Sequence, residues 1–131
     1  MPHQPAPAKI APAPANNLLI VEDNPLIAAA IERAGERLQM RIDVATDGWE
    51  AIELLRDTSY RAIVIDTDLP RHSGYGVLSY LREEKGDRLR NVILMTGSDT
   101  GAVRDRVREE LQIIAKTEEA ITEALRSAAE E

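Results

Sequence analysis

From Leu18 onward the apolar residues alternate between two spacings. Leu18-Leu19-Ile20-Val21, Ala62-Ile63-Val64-Ile65 and Val92-Ile93-Leu94-Met95 are short, wholly apolar runs, the pattern of strands covered on both faces. Ile42-Asp43-Val44 and Ile113-Ile114-Ala115 are weaker runs of the same kind. Between them apolar residues recur at helical spacing: Ile27, Ile31, Ala34 and Leu38; Trp49, Ile52 and Leu55; Val77, Leu78 and Leu81; Val103, Val107 and Leu111; Ile121, Ala124, Leu125 and Ala128. Asn24-Pro25 reads as an N-cap followed by Pro at the first helical position, and Pro70 and Gly74 bracket a loop. Trp49 is expected to pack into the core or to be half-buried.

Five strand-helix units follow one another in this way. Strands separated by helices pair in parallel, because a hairpin cannot join them, and the right-handed crossover places helices on both faces of an open sheet. The fold class is therefore α/β, an open five-stranded parallel sheet. Such sheets bind ligands beyond the carboxyl ends of their strands. Residues 1–16 stand apart: they hold five of the seven prolines and have no amphipathic period. They are expected to form a disordered Pro/Ala-rich tail ahead of one folded domain, residues 17–131.

Composition narrows the function. The chain of 131 residues carries a net charge of -7, which disfavours direct binding to nucleic-acid phosphates. No apolar run approaches the roughly 20 residues that span a bilayer, and the N-terminus lacks the apolar stretch of a secretory signal. A cytoplasmic protein is expected. With no Cys, thiol nucleophiles and zinc-thiolate sites are excluded. His3 and His72 are expected to be solvent-exposed. The run Arg104-Asp105-Arg106 with Arg108-Glu109-Glu110 reads as a salt-bridged solvent face.

The residues that end the apolar strands carry the chemistry. Glu22-Asp23, Asp66, Thr96 and Lys116 all fall at one edge of a parallel sheet. Crowded carboxylates repel one another and suit a hard cation such as Mg²⁺. A carboxylate can act as nucleophile and form an acyl phosphate. The transferred group then needs a cation, an ammonium and a hydroxyl or backbone donor. Asp66 is central in this set, with Thr96 and Lys116 available as donors.

In this order and spacing, LLIVEDN (18–24), VIDTDLPRHSG (64–74), ILMTGS (93–98) and IIAK (113–116) resemble the receiver domain of two-component response regulators. The resemblance covers residues 17 to about 129 and implies a flavodoxin-like strand order 2-1-3-4-5. Asp66 would be the phosphoacceptor. Asp23 and Asp66 would bind Mg²⁺ with help from Glu22, and Asp68 would add its backbone carbonyl. Thr96 and Lys116 would contact phosphoryl oxygens, and Gly97 would keep access open for the donor. That donor would be a phosphohistidine on a sensor histidine kinase or histidine phosphotransfer protein. The chain would be a stand-alone receiver that signals by protein contact or phosphorelay. It would dephosphorylate itself slowly and would not be a conventional turnover enzyme.

Two positions depart from the family pattern. Thr117 stands where relatives usually have Pro after the Lys; a cis bond before a non-Pro residue costs about 3 kcal/mol, so a trans loop is expected, with Thr117 capping the last helix. Ile113 replaces the usual switch aromatic. The interval between Thr96 and Lys116 also suggests a trimmed fourth helix. These changes fall on the face of the fourth helix, fifth strand and fifth helix, which relatives use for output or homodimerisation. Two other readings stand beside this one. A receiver-like module could dock a partner without being phosphorylated. Asp66-Thr67-Asp68 also resembles the nucleophile motif of haloacid-dehalogenase-type phosphatases, but that motif normally follows the first strand.

Overall fold

The computed structural model describes residues 16–85, 89–97, 99–107 and 111–130. The expected tail therefore lies, but for Asn16, outside the described residues, as do His3 and Arg108-Glu109-Glu110; so does the side chain of His72. The elements are β1 (Asn17–Val21), α1 (Pro25–Arg37), β2 (Arg41–Ala45), α2 (Gly48–Asp57), β3 (Ala62–Asp66), α3 (Ser73–Glu84), β4 (Val92–Thr96), α4 (Thr100–Arg106), β5 (Gln112–Ala115) and α5 (Glu118–Ala129). A single 3-10 turn, Pro70–His72, precedes α3.

All strands pair in parallel in the order β2-β1-β3-β4-β5, as the resemblance implies. Side chains alternate between the two faces of the sheet. Leu19, Val21, Ile63, Ile65, Val92 and Leu94 pack with α2, α3 and α4. Leu18, Ile20, Ala62, Val64, Ile93 and Met95 pack with α1 and α5. β1, β3 and β4 are thus enclosed between helices, which explains their unbroken apolar sequence.

The helices start where their caps place them. Asn24 Oδ1 accepts the Leu26 N–H at 2.9 Å and Pro25 opens α1. Asp47 Oδ1 accepts the Glu50 N–H at 2.9 Å at the head of α2. Thr117 Oγ1 accepts the Ala120 N–H at 3.1 Å and caps α5, as expected. There is no cis peptide among the described residues, so the Lys116-Thr117 bond is trans.

Three expectations fail, the first being the loop bracketed by Pro70 and Gly74, since Pro70–His72 forms a 3-10 turn and Gly74 is buried inside α3. Trp49 does not pack inward: it is 78% exposed, and the buried face of α2 is Gly48, Ala51 and Leu55. Two phases of the same helical period compete here: Gly48 lies against Ser73 at the start of α3 and Ala51 in the core, while Trp49 faces the solvent. The fourth helix is short, at seven residues, and Val107 and Leu111 lie beyond it. Val107 is extended, and Leu111 is buried in the segment leading into β5. Arg104 donates to the Leu111 carbonyl at 2.7 Å, and the Arg106 guanidinium lies 4.1 Å from the centre of the Tyr75 ring. Both arginines therefore make contacts within the protein.

Candidate functional site

The carboxyl ends of β1, β3, β4 and β5 converge. Glu22 continues β1 by donating its N–H to the Ala45 carbonyl at 3.0 Å, which turns its side chain into the protein. Glu22 and Asp66 are 1% and 2% exposed, whereas Asp23 is exposed. Each of the three offers a carboxylate oxygen, and these oxygens lie within 4.8 Å of one another. Glu22 Oε2 accepts the Asn24 N–H at 3.1 Å, while Oε1 is buried with no hydrogen-bond partner. Burial pushes the Glu22 carboxyl up to about 7; the Asn24 N–H opposes the rise, and Asp66 and Asp23 add to it. An orphaned buried oxygen among crowded carboxylates is a donor set that fits Mg²⁺.

Asp66 is held at both oxygens. Oδ1 accepts the Asp68 N–H at 2.8 Å, and Oδ2 lies 3.0 Å from Lys116 Nζ. Burial pulls the Lys116 ammonium down, but hydrogen bonds and charge from Asp66, with Asp68 and Glu22, outweigh it and leave the pKa raised. Lys116 is placed by the sheet, since its N–H donates to the Thr96 carbonyl at 3.1 Å. Thr96 is buried at the end of β4, one residue past Met95, the partner of Asp66 in the ladder.

Glu22, Asp23, Asp66 and Lys116 are therefore brought together as the sequence predicts, with Thr96 at the adjoining strand end. At Gly97 an added Cβ would sit 3.5 Å from Asp68 Oδ2 and 3.6 Å from Lys116 Cδ, which is ordinary contact. Within the protein itself there is room for a methyl at this position. Ile113 is half-buried on β5, paired with Leu94, and packs against the core on the α2 and α3 side. It carries no polar group to place near Thr96.

Three features escaped the sequence reading. The Asp68 side chain is engaged: Oδ2 accepts the Gly97 N–H at 2.8 Å and lies 3.3 Å from Lys116 Nζ. Gly74 lets α3 close onto Asp66, since a Cβ there would meet the Asp66 carbonyl oxygen at 2.6 Å. Trp49 lines a groove of about 510 Å³ with Asp23, Ile52, Pro70 and Arg71. An aromatic directly after the Asp47-Gly48 helix start was the available signal for the last.

Comparison with known proteins agrees with this geometry. The model of the response regulator receiver domain matches residues 18–126. The autoinducer 2 sensor kinase/phosphatase LuxQ of Vibrio harveyi is 36% identical over 66 residues, 50% of this chain and 8% of LuxQ. The transcriptional regulatory protein SrrA of Staphylococcus aureus is 37% identical over 70 residues, 53% of this chain and 29% of SrrA. The aligned part is thus a minor fraction of either relative. Among solved structures, the receiver domain of the sensor histidine kinase PA1611 from Pseudomonas aeruginosa has a TM-score of 0.73 at 25% identity, covering 89% of this chain and 99% of that one. Its magnesium ion is coordinated in the active site cleft. The chemotaxis response regulator CheY4 of Vibrio cholerae shares the fold, with a TM-score of 0.73 at 16% identity over 87% of this chain and 98% of that one. Among the described residues no helix is long and apolar enough to cross a membrane.

Proposed function

Since the chain belongs to the response regulator receiver family, we propose that it accepts a phosphoryl group on Asp66. The donor is a phosphohistidine on a sensor histidine kinase or a histidine phosphotransfer protein. An Asp66 oxygen forms the new bond to phosphorus as the N–P bond of the donor breaks, and the imidazole leaves with its electron pair and takes up a proton. Glu22, Asp23, Asp66 and the Asp68 carbonyl would hold Mg²⁺, which when bound would supply positive charge for the transferred group. The Lys116 ammonium and the Thr96 hydroxyl hold phosphoryl oxygens, and Gly97 leaves the approach open. Water later returns the carboxylate and inorganic phosphate, so the domain resets itself and does not turn over a substrate pool. Output passes through protein contact or a further relay, and the setting is the cytoplasm.

The observation that carries this reading is the position of Asp66, buried between two acidic neighbours and 3.0 Å from Lys116 Nζ. The haloacid-dehalogenase alternative loses its support because the acceptor strand is β3, preceded by two complete strand-helix units. Docking without phosphorylation remains a second reading, favoured only by Ile113 and Thr117 at the switch positions. Mg²⁺ followed by BeF₃⁻, titrated while Trp49 fluorescence and backbone amide shifts are followed, separates the two. Saturable, Mg²⁺-dependent BeF₃⁻ binding is expected, and its absence in the folded protein would favour the docking module.

A further inference from the structure

The Asp68 side chain is placed to do more than neutralise charge. The Asp68 N–H is bonded to Asp66 Oδ1, so this residue is pinned beside the acceptor. From there Oδ2 reaches the Gly97 N–H at 2.8 Å and Lys116 Nζ at 3.3 Å. The same ammonium lies 3.0 Å from Asp66 Oδ2. A backbone N–H and an ammonium turned toward one point beside the acceptor make a site for anionic oxygens. In the unmodified protein, the anion in that site is Asp68.

We infer that the Asp68 carboxylate is an internal competitor for the phosphoryl group, occupying donors that the phosphoryl oxygens must take. This rests on Asp66 being the acceptor. For phosphate to arrive, Asp68 must release Gly97 and Lys116. With its side chain 38% exposed, it has solvent to swing into. The negative charge stays two residues from the acyl phosphate after the swing and favours the return to the unmodified state. Asp68 thus limits both how readily Asp66 is charged and how long it stays so. The Gly97 bond also links the loop after β3 to the loop before α4, so releasing it frees a connection on the side of the sheet where Ile113 has replaced an aromatic.

The test compares the full chain with Asp68→Asn and Asp68→Ala. Asn keeps the size and can still accept from Gly97, while Ala removes the group altogether; both retain the backbone carbonyl. Mg²⁺ affinity is measured first for each protein, and BeF₃⁻ is then titrated at saturating Mg²⁺. The BeF₃⁻ midpoint is expected to fall about tenfold for Asp68→Ala, the scale of one charge-assisted hydrogen bond no longer opposing the ligand, and by less for Asp68→Asn. Phosphorylation by acetyl phosphate should accelerate in the same order. A gain in binding is a readout that structural damage does not produce. If the parent binds BeF₃⁻ and both variants bind it equally or more weakly, the competition is refuted while the acceptor stands. If the folded parent binds none, Asp66 is not the acceptor and the competition has no ligand to oppose, so both fail.

Discussion

Glu22, directly after β1, and Asp66, the last residue of β3, are almost wholly buried, while β5 runs along the sheet's edge with Ile113 and Ile114 only half-buried. The inner strands are fixed by ladders on both sides, and each Asp66 carboxylate oxygen has a partner. The outer region has a ladder on one side, a helix of seven residues and a threonine cap at the head of α5. The proposed capture of phosphate draws on the first region, while Ile113 and Thr117, the two positions that depart from the receiver pattern, lie in the second. The difference teaches that the strand-end carboxylates are held by the core, while the edge face rests on a ladder at one side only.

Substitutions in the two regions should therefore differ in size and in kind. The largest effect is expected at Gly74, where an added methyl would meet the Asp66 carbonyl oxygen at 2.6 Å and Ile65 Cγ2 at 3.0 Å. Gly74→Ala should cost about 3 kcal/mol in urea unfolding, the upper end of overpacking, and weaken BeF₃⁻ binding as well. A fully stable variant with intact binding would mean that the inner region is not rigid.

Glu22 comes next, and its sign depends on pH. Its folded pKa, raised to about 7, lies above the unfolded value near 4.5, so the folded state holds the proton more tightly. The associated stability is present below about 4.5 and is lost as pH rises toward 7. Without metal, Glu22→Gln should be more stable than the parent at pH 8, by on the order of 2 kcal/mol, with the gain vanishing near pH 4. Added Mg²⁺ should reverse the order, since it stabilises only the parent's full carboxylate set. Parallel stability curves for the two proteins across pH would remove the argument for a crowded, cation-seeking site.

At the edge, Thr117→Ala removes the α5 cap and should cost about 1 kcal/mol. BeF₃⁻ affinity should change less than twofold, because the cap bond is made to Ala120 and not to the site. Equal losses in stability and in BeF₃⁻ binding would show that edge and centre are coupled after all.

The sequence disclosed whatever depends on local pattern. Unbroken apolar runs marked β1, β3 and β4, and Asn24 and Thr117 stood at helix starts where their side chains do cap. The strand-end position of Glu22, Asp23, Asp66, Thr96 and Lys116 followed from parallel topology. Trp49 was misplaced because Gly48-Ala51-Leu55 has the same helical period as Trp49-Ile52-Leu55, and a large apolar residue outweighs small ones in any such reading. Val107 and Leu111 kept a four-residue spacing although the backbone had already left the helix. The grip of Asp68 on Gly97 and Lys116 was illegible for a different reason: it joins residues 29 and 48 positions apart through a side-chain orientation that no spacing encodes.

The central claim is that Asp66 takes the phosphoryl group with the help of a divalent cation. Intact-mass spectrometry after incubation with acetyl phosphate and Mg²⁺ tests it most directly, with Asp66→Asn and a chelator control alongside. The expected result is one added phosphoryl group on the parent, not formed when a chelator is present from the start and absent from Asp66→Asn. An unmodified parent, or the same gain on Asp66→Asn, would contradict it.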